Sequence, residues 1–203
     1  MRDAGHDGGD EAAFFARHLG GEVGEINMLG EIWTSRVTSH VPLAMVAGLI
    51  TGPAIGKAVA QMHRFLRSLS IAEPRLAVAA LNPHAGEGGT FGREEIDVIG
   101  PAIDAARAAG MGVEGPFPAD SVFPLVLKGG YHGVVTMYHD QGQIALKLLG
   151  LGRGVTVIAG LPIPITTAGH GTAFDIAGKG IATVDGLAAA VDVCRRMLGA
   201  PAA

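Results

Sequence analysis

Short, almost wholly apolar runs that alternate with segments of helical spacing constrain this chain more than any other feature. "RLAVAAL" (75–81), "GVVTMYH" (133–139) and "GVTVIAG" (154–160) carry apolar residues on both faces, as strands covered from both sides must. Pro53 to Leu69 sets Ile55, Val59, Met62, Leu66 and Leu69 on one helical face, with proline suited to the first turn. Arg93 to Ala109 returns to that spacing through Ile96, Ile99 and Ile103, with a kink or restart expected at Pro101. Leu187 to Leu198 reads as a closing helix, and "TSRVTSH" (34–40) as a weaker β-like run. Strands and helices in alternation predict an α/β fold layered about a mostly parallel sheet.

Composition narrows the class. At 203 residues and 48% hydrophobic, but only 5% aromatic, the core must be built from Ala, Val, Leu and Ile. The formal charge of −4 and the lack of a basic stripe with interleaved aromatics argue against a nucleic-acid partner. Cys194 has no second cysteine to bond, and it sits on the stripe Leu187, Val191, Cys194, Leu198, which predicts a small buried hydrophobe. The longest apolar stretch, "RGVTVIAGLPIPI", is short and broken by glycine and proline, and no secretory leader pattern is present. A cytoplasmic protein with no membrane partner is expected.

Histidines cluster at predicted strand ends. His40 ends "TSRVTSH", His84 follows 75–81 in the glycine-rich "LNPHAGEGG", and His139 ends 133–139. Open α/β sheets bind ligands at the carboxyl ends of their strands, and neutral imidazole is the commonest metal ligand, with Asp120 and Asp140 nearby to suit a divalent ion. No pair has the short spacing of a linear metal motif, so spacing alone leaves each histidine open between a ligand and a hydrogen-bonded strand-end residue. His6, His18, His63 and His132 read as surface or helix-face residues.

Together "TSHVPL", "LNPHAGEGGTFGREE", "GPFPADSVF", "MYHDQGQIALK" and "HGTAFDIAGKG" resemble the 4-hydroxythreonine-4-phosphate dehydrogenase family, over about residues 4 to 198. The last motif also resembles the cofactor loop of isopropylmalate and isocitrate dehydrogenases, which implies a fold of that kind. The resemblance implies one divalent metal ion (zinc, magnesium, manganese or cobalt) bound by His40, His84 and His139, with Asp120 supplied from the partner subunit of a homodimer. It implies oxidation of a secondary alcohol by NAD, with NADP possible, followed by loss of CO₂ from the β-keto acid. Lys147 matches a lysine that contacts substrate and shares in proton transfer. His170, Gly171, Thr172, Ala173 and Asp175 match the loop around the adenosine half of the cofactor, where an acidic Asp175 favours NAD. The glycines after His84 then read as a turn exposing a metal ligand rather than as a phosphate cradle.

The chain departs from the family pattern in places. The first third is absent, including a "GDPAGIGPE"-type motif, so two domains are expected with the first incomplete: 1–146 for metal binding and dimerisation, and 147–203 for the C-terminal part of the cofactor domain. On the substrate side, Gly8, Gly9, Asp10 and Glu11 stand at a "GHTE" motif, Thr156 at an asparagine, Ile165 at an arginine and Gly169 at an aspartate. Losing a guanidinium and gaining a negative charge at Asp10 both oppose a phosphate. The expected substrate therefore differs from 4-hydroxythreonine 4-phosphate, with a carboxylated cis-dihydrodiol of the terephthalate type as one alternative. A truncated, non-catalytic metal-binding dimer is the alternative of another class.

Overall fold

A computed structural model describes residues 11–149 and 154–199; Asp10, Gly8, Gly9 and His6 lie outside them. Among the described residues seven α-helices, α1 (Glu11–Leu19), α2 (Leu43–Leu49), α3 (Gly52–Ser68), α4 (Gly100–Ala108), α5 (Ala119–Leu127), α6 (His139–Leu149) and α7 (Asp185–Met197), surround one sheet. Its strands are β1 (Gly24–Leu29), β2 (Ile32–Arg36), β3 (Arg75–Ala79), β4 (Gly112–Phe117), β5 (Gly133–Thr136), β6 (Val155–Ala159) and β7 (Ile165–Ala168), in the order β4-β3-β5-β2-β1-β6-β7.

The sheet is mixed. β4, β3, β5 and β2 pair in parallel, whereas β2-β1, β1-β6 and β6-β7 pair antiparallel. β1 opposes both β2 and β6, so β6 shares the direction of the parallel set, and only β1 and β7 run against it. The β1–β2 hairpin turns through Gly30, at φ +57°, and Glu31, and is the element that breaks the expected alternation.

Helix α3 forms where its spacing predicts. Thr51 Oγ accepts from Ala54 N at 3.3 Å at its start, and Ile55, Val59, Met62 and Leu66 are fully buried. Its face packs on Trp33 of β2, whose ring meets Phe65 edge-on at 4.6 Å. The core on that side also takes in Ile99 and Ile103, and Ala190 and Val193 of α7. The opposite face of the sheet packs Ile32, Ala77, Ala79 and Val134 against Val122, Phe123 and Val126 of α5. Helices on both sides explain why the central strands are apolar throughout.

The restart expected at Pro101 is present, since the segment from Arg93 begins as a π turn, Glu95–Ile99, and resumes as α4 at Gly100, but two expected helix faces need correction. The wider π turn rotates Ile96 away from the face that buries Ile99 and Ile103, leaving Ile96 46% exposed. On α7 the predicted stripe faces outward: Leu187, Val191 and Leu198 are 61, 53 and 69% exposed, and Cys194 is only half-buried. Gly186, Ala190 and Val193 are the buried residues, because small side chains let α7 lie close on β6 and β7. The residue boundary at 146/147 falls within α6, and beyond it β6 pairs onto β1 and β7 onto β6. Among the described residues no single helix is long and apolar enough to cross a membrane.

The orientation of α7 is testable by paired substitutions. Val193→Asp buries an unpaired charge and should cost more than about 3 kcal/mol, whereas Val191→Asp should stay within about 0.5 kcal/mol, both measured by urea denaturation. A larger loss at Val191 than at Val193 would put α7 the other way round, and equal losses would contradict this orientation.

Candidate active site

His40 lies four residues past the end of β2, His139 three past β5, His84 five past β3 and Asp120 three past β4. These strands are consecutive and parallel, so all four residues sit along the carboxyl edge of the sheet, where open α/β sheets take their ligands. His139 does not end its strand as expected but starts α6. Gln141 Oε1 accepts from Met137 N at 2.8 Å, while Gln141 Nε2 donates to Ala80 O at 2.8 Å, tying the turn to the end of β3.

The edge brings His40 and His139 together, with ring centroids 5.8 Å apart. His139 Nδ1 lies 2.7 Å from Asp140 Oδ1. An ionised carboxylate only accepts, so Nδ1–H donates, which leaves Nε2 as the ring nitrogen not engaged by Asp140. His84 is exposed on its own turn, its ring 6.2 Å from that of Phe91. Asp120 is exposed near the start of α5, Oδ1 accepting from Ser121 Oγ at 3.2 Å. Among the described residues no group of three His, Cys, Asp or Glu side chains stands ready to hold a metal ion. The two imidazoles of His40 and His139 are of a type that ligates divalent ions, while His84 and Asp120 lie on the same edge but outside the pair.

The turn carrying His84 is left-handed. Residues 84 to 88 all have positive φ, and His84, Ala85 and Glu87 do so without being glycine. Such a conformation costs an L-residue roughly 1–2 kcal/mol. Glu95 lies beneath it, its carboxylate accepting from Leu81 N and Asn82 N, both at 2.8 Å, and from Asn82 Nδ2 at 2.9 Å. Burial pushes this carboxyl's pKa up, but the bonds from the Asn82 side chain and from the backbone outweigh it and hold the group below the ordinary glutamate value.

Along α6, His139, Gln143 and Lys147 fall on one stripe at intervals of four. Lys147 is exposed. Gln143 Nε2 donates to Asn27 Oδ1 at 2.7 Å, and Asn27 Nδ2 donates to Thr156 Oγ1 at 2.8 Å, across the register pair Asn27 and Thr156. Arg36 closes the network: Nη1 donates to Asn27 Oδ1 at 2.6 Å, Nε to Ser39 Oγ at 2.9 Å, and Nη2 pairs with Glu25. Its guanidinium side chain is only 6% exposed. Glu25, Asn27, Arg36 and Gln143 were not singled out from sequence; the only signal was the position of Gln143 midway between His139 and Lys147. Ile165 pairs in register with Ile158, which on its other side pairs with Glu25 of β1.

The 170–175 loop leaves β7, which runs against β2, and so departs from the edge opposite the histidines. His170, Gly171, Thr172, Ala173 and Asp175 are all exposed, with His170 Nδ1 3.0 Å from Gly171 O and Ala173 at φ +49°. Gly169 N donates to Gly154 O at 2.6 Å, and a Cβ on Gly169 would sit 3.0 Å from that carbonyl, so the strands approach too closely there for an aspartate without a shift.

Comparison with known proteins gives a consistent result. The family model described as pyridoxal phosphate biosynthetic protein PdxA matches residues 1–194. A Pseudomonas aeruginosa relative, provisionally named a 4-hydroxythreonine-4-phosphate dehydrogenase 2, is 52% identical over 96% of this chain and 59% of its own length. A Bradyrhizobium diazoefficiens relative, provisionally named a D-threonate 4-phosphate dehydrogenase, is 46% identical over 89% of this chain and 56% of its own. Among solved structures, the 4-hydroxythreonine-4-phosphate dehydrogenase of Klebsiella pneumoniae superposes with a TM-score of 0.85 at 39% identity, covering 97% of this chain and 60% of that one. The terephthalate 1,2-cis-dihydrodiol dehydrogenase of Burkholderia xenovorans gives 0.75 at 30% identity, covering 100 and 65%. The chain thus spans less than two thirds of the length of these relatives. The family model and these relatives agree on one assignment: the chain belongs to the PdxA family, whose members are dehydrogenases.

Proposed function

We propose that this chain forms part of a cytoplasmic, homodimeric, metal-dependent and NAD-linked dehydrogenase that oxidises a secondary alcohol and releases CO₂. The observation that carries the reading is the placement of His40, His139 and His84 after three neighbouring parallel strands, with His40 and His139 already paired. In this reading residues 1–146 bind the metal and the partner, and 147–203 belong to the cofactor side, in a fold akin to that of isopropylmalate and isocitrate dehydrogenases. His40, His84 and His139 would hold the divalent ion, and Asp120 of the partner would complete its shell. That ion, when bound, supplies Lewis acidity that polarises the alcohol oxygen and stabilises the enolate left by decarboxylation.

The chain's own residues do the rest. Asp140 keeps the His139 imidazole in one tautomer, with Nε2 toward the edge. Lys147, two turns along α6, would bind an anionic group of the substrate and carry a proton at Nζ. The exposed 170–175 loop would wrap the adenosine half of NAD from the opposite edge. Asp175 there favours ribose hydroxyls over a 2′-phosphate.

The substrate is read as a hydroxy acid other than 4-hydroxythreonine 4-phosphate. Thr156 offers a hydroxyl already engaged by Asn27, and Ile165 an apolar wall where a phosphate would want a guanidinium. D-threonate 4-phosphate keeps the phosphate, so the loss of the guanidinium does not favour it over 4-hydroxythreonine 4-phosphate; it differs at C2, a hydroxyl in place of the ammonium, and the name of the Bradyrhizobium relative is what supports it. The apolar pair Ile158 and Ile165 and the terephthalate-type neighbour favour a second reading, a cis-dihydrodiol carboxylate.

Equilibrium dialysis against Mn²⁺ or Zn²⁺ should give about one ion per chain, and His40→Ala, His139→Ala and His84→Ala should each weaken binding at least about tenfold. Unchanged binding in all three variants would dismiss the site. In a polypeptide of the relatives' full length carrying this sequence, NAD should be preferred and Asp175→Ala should narrow the gap to NADP; equal use of both cofactors before substitution would rule out that role. Assayed with metal and NAD, the same protein should turn over D-threonate 4-phosphate with kcat/KM at least about tenfold above that for 4-hydroxythreonine 4-phosphate, a difference of about 1.4 kcal/mol. The reverse order, or a preference for the dihydrodiol, would reject this substrate.

A further inference from the structure

The left-handed turn that presents His84 lies in a 3-10 element, Pro83–Gly89, which Phe91 N to Gly86 O, at 3.1 Å, and Thr90 N to Glu87 O, at 3.3 Å, close at its end. A second support comes from below. Glu95 is 5% exposed, and one of its oxygens takes the two successive backbone N–H groups of Leu81 and Asn82, the last residues before the turn. Its other oxygen takes Asn82 Nδ2, which is shared with Glu94 Oε2 at 2.7 Å. Gly86 is seated against that second oxygen: a Cβ there would stand 2.7 Å from it and 2.8 Å from Gly92 O. Strained backbone persists where its surroundings over-determine it, and the contact that does so here is a buried carboxylate.

From this arrangement we infer that Glu95 is the positioning residue for His84: by clamping Leu81 and Asn82 it forces the following residues into the left-handed turn that puts the imidazole on the carboxyl edge. Glu95 acts on a bound ion only through that turn. The inference rests on the reading of His84 as a metal ligand, and the test separates the two.

Co²⁺ serves as the probe, since both its affinity and its ligand-field bands report the ligands. Glu95→Gln keeps the size but replaces one acceptor oxygen with an NH₂ group that faces Asn82 Nδ2. It should raise the Co²⁺ dissociation constant about ten- to a hundredfold and shift the ligand-field bands toward those of His84→Ala, while far-UV circular dichroism and a cooperative melt are retained. Ala85 is strained at φ +52°, and Ala85→Gly removes that strain, so adding it to Glu95→Gln should recover affinity severalfold. If Glu95→Gln does not melt cooperatively, the same measurements on Glu95→Asp decide. Wild-type affinity and spectrum in the Glu95 variant, with binding lost in His84→Ala, would overturn the positioning role and leave the ligand reading intact. Wild-type binding in His84→Ala would remove the ligand reading and this inference with it.

Discussion

Parallel pairing of β2, β5, β3 and β4 is the constraint on which the rest of the structure depends. Parallel neighbours cannot be joined by a tight turn, so each connection must cross a face of the sheet, and the crossing segments here include α3, α4, α5 and α6. Those crossings bury both faces and make the strands apolar. They also put every strand's exit on the same edge, so that residues 40, 84, 120 and 139, far apart in sequence, line one side of the molecule.

The antiparallel half does different work. The hairpin places β1 between β2 and β6, and on its α6 side β1 carries Glu25 and Asn27 rather than apolar residues. A buried guanidinium is costly unless each of its donors finds an acceptor, and Arg36 finds Glu25, Asn27 and Ser39. Through Ser39 the network reaches the residue beside His40, and through Gln143 it reaches the helix that begins with His139. One polar cluster thus touches both the residue before His40 and the helix that His139 begins.

Charge and strain are concentrated at the same edge. The stretch from Leu81 to Glu95 combines positive-φ residues with a buried carboxylate, and the long apolar face of α7 lies open at the far side of the molecule. An arrangement that leaves Val184, Leu187 and Val191 in solvent while burying Ala190 and Val193 is set by how closely α7 must approach β6 and β7, a distance that only small residues permit.

The sequence by itself determined the α/β class, helix α3 with its buried face, the central strands and the strand-end placement of three histidines, because these depend on local periodicity and on glycine-rich exits. Tertiary structure alone decided the rest. The direction of β1 and β7 follows from a short hairpin and from pairing partners distant in the chain, which periodicity does not encode. Which face of α7 is buried depends on the sheet it meets, since an apolar stripe on one side and alanines on the other offer two plausible faces. The roles of Arg36, Asn27, Gln143 and Glu95 exist only once strands far apart in sequence bring a charge and its acceptors within hydrogen-bond reach. That His40 and His139 stand together while His84 sits on a separate strained turn is likewise a fact of three-dimensional packing, because the distance between strand exits is set by the sheet and not by the number of residues between them.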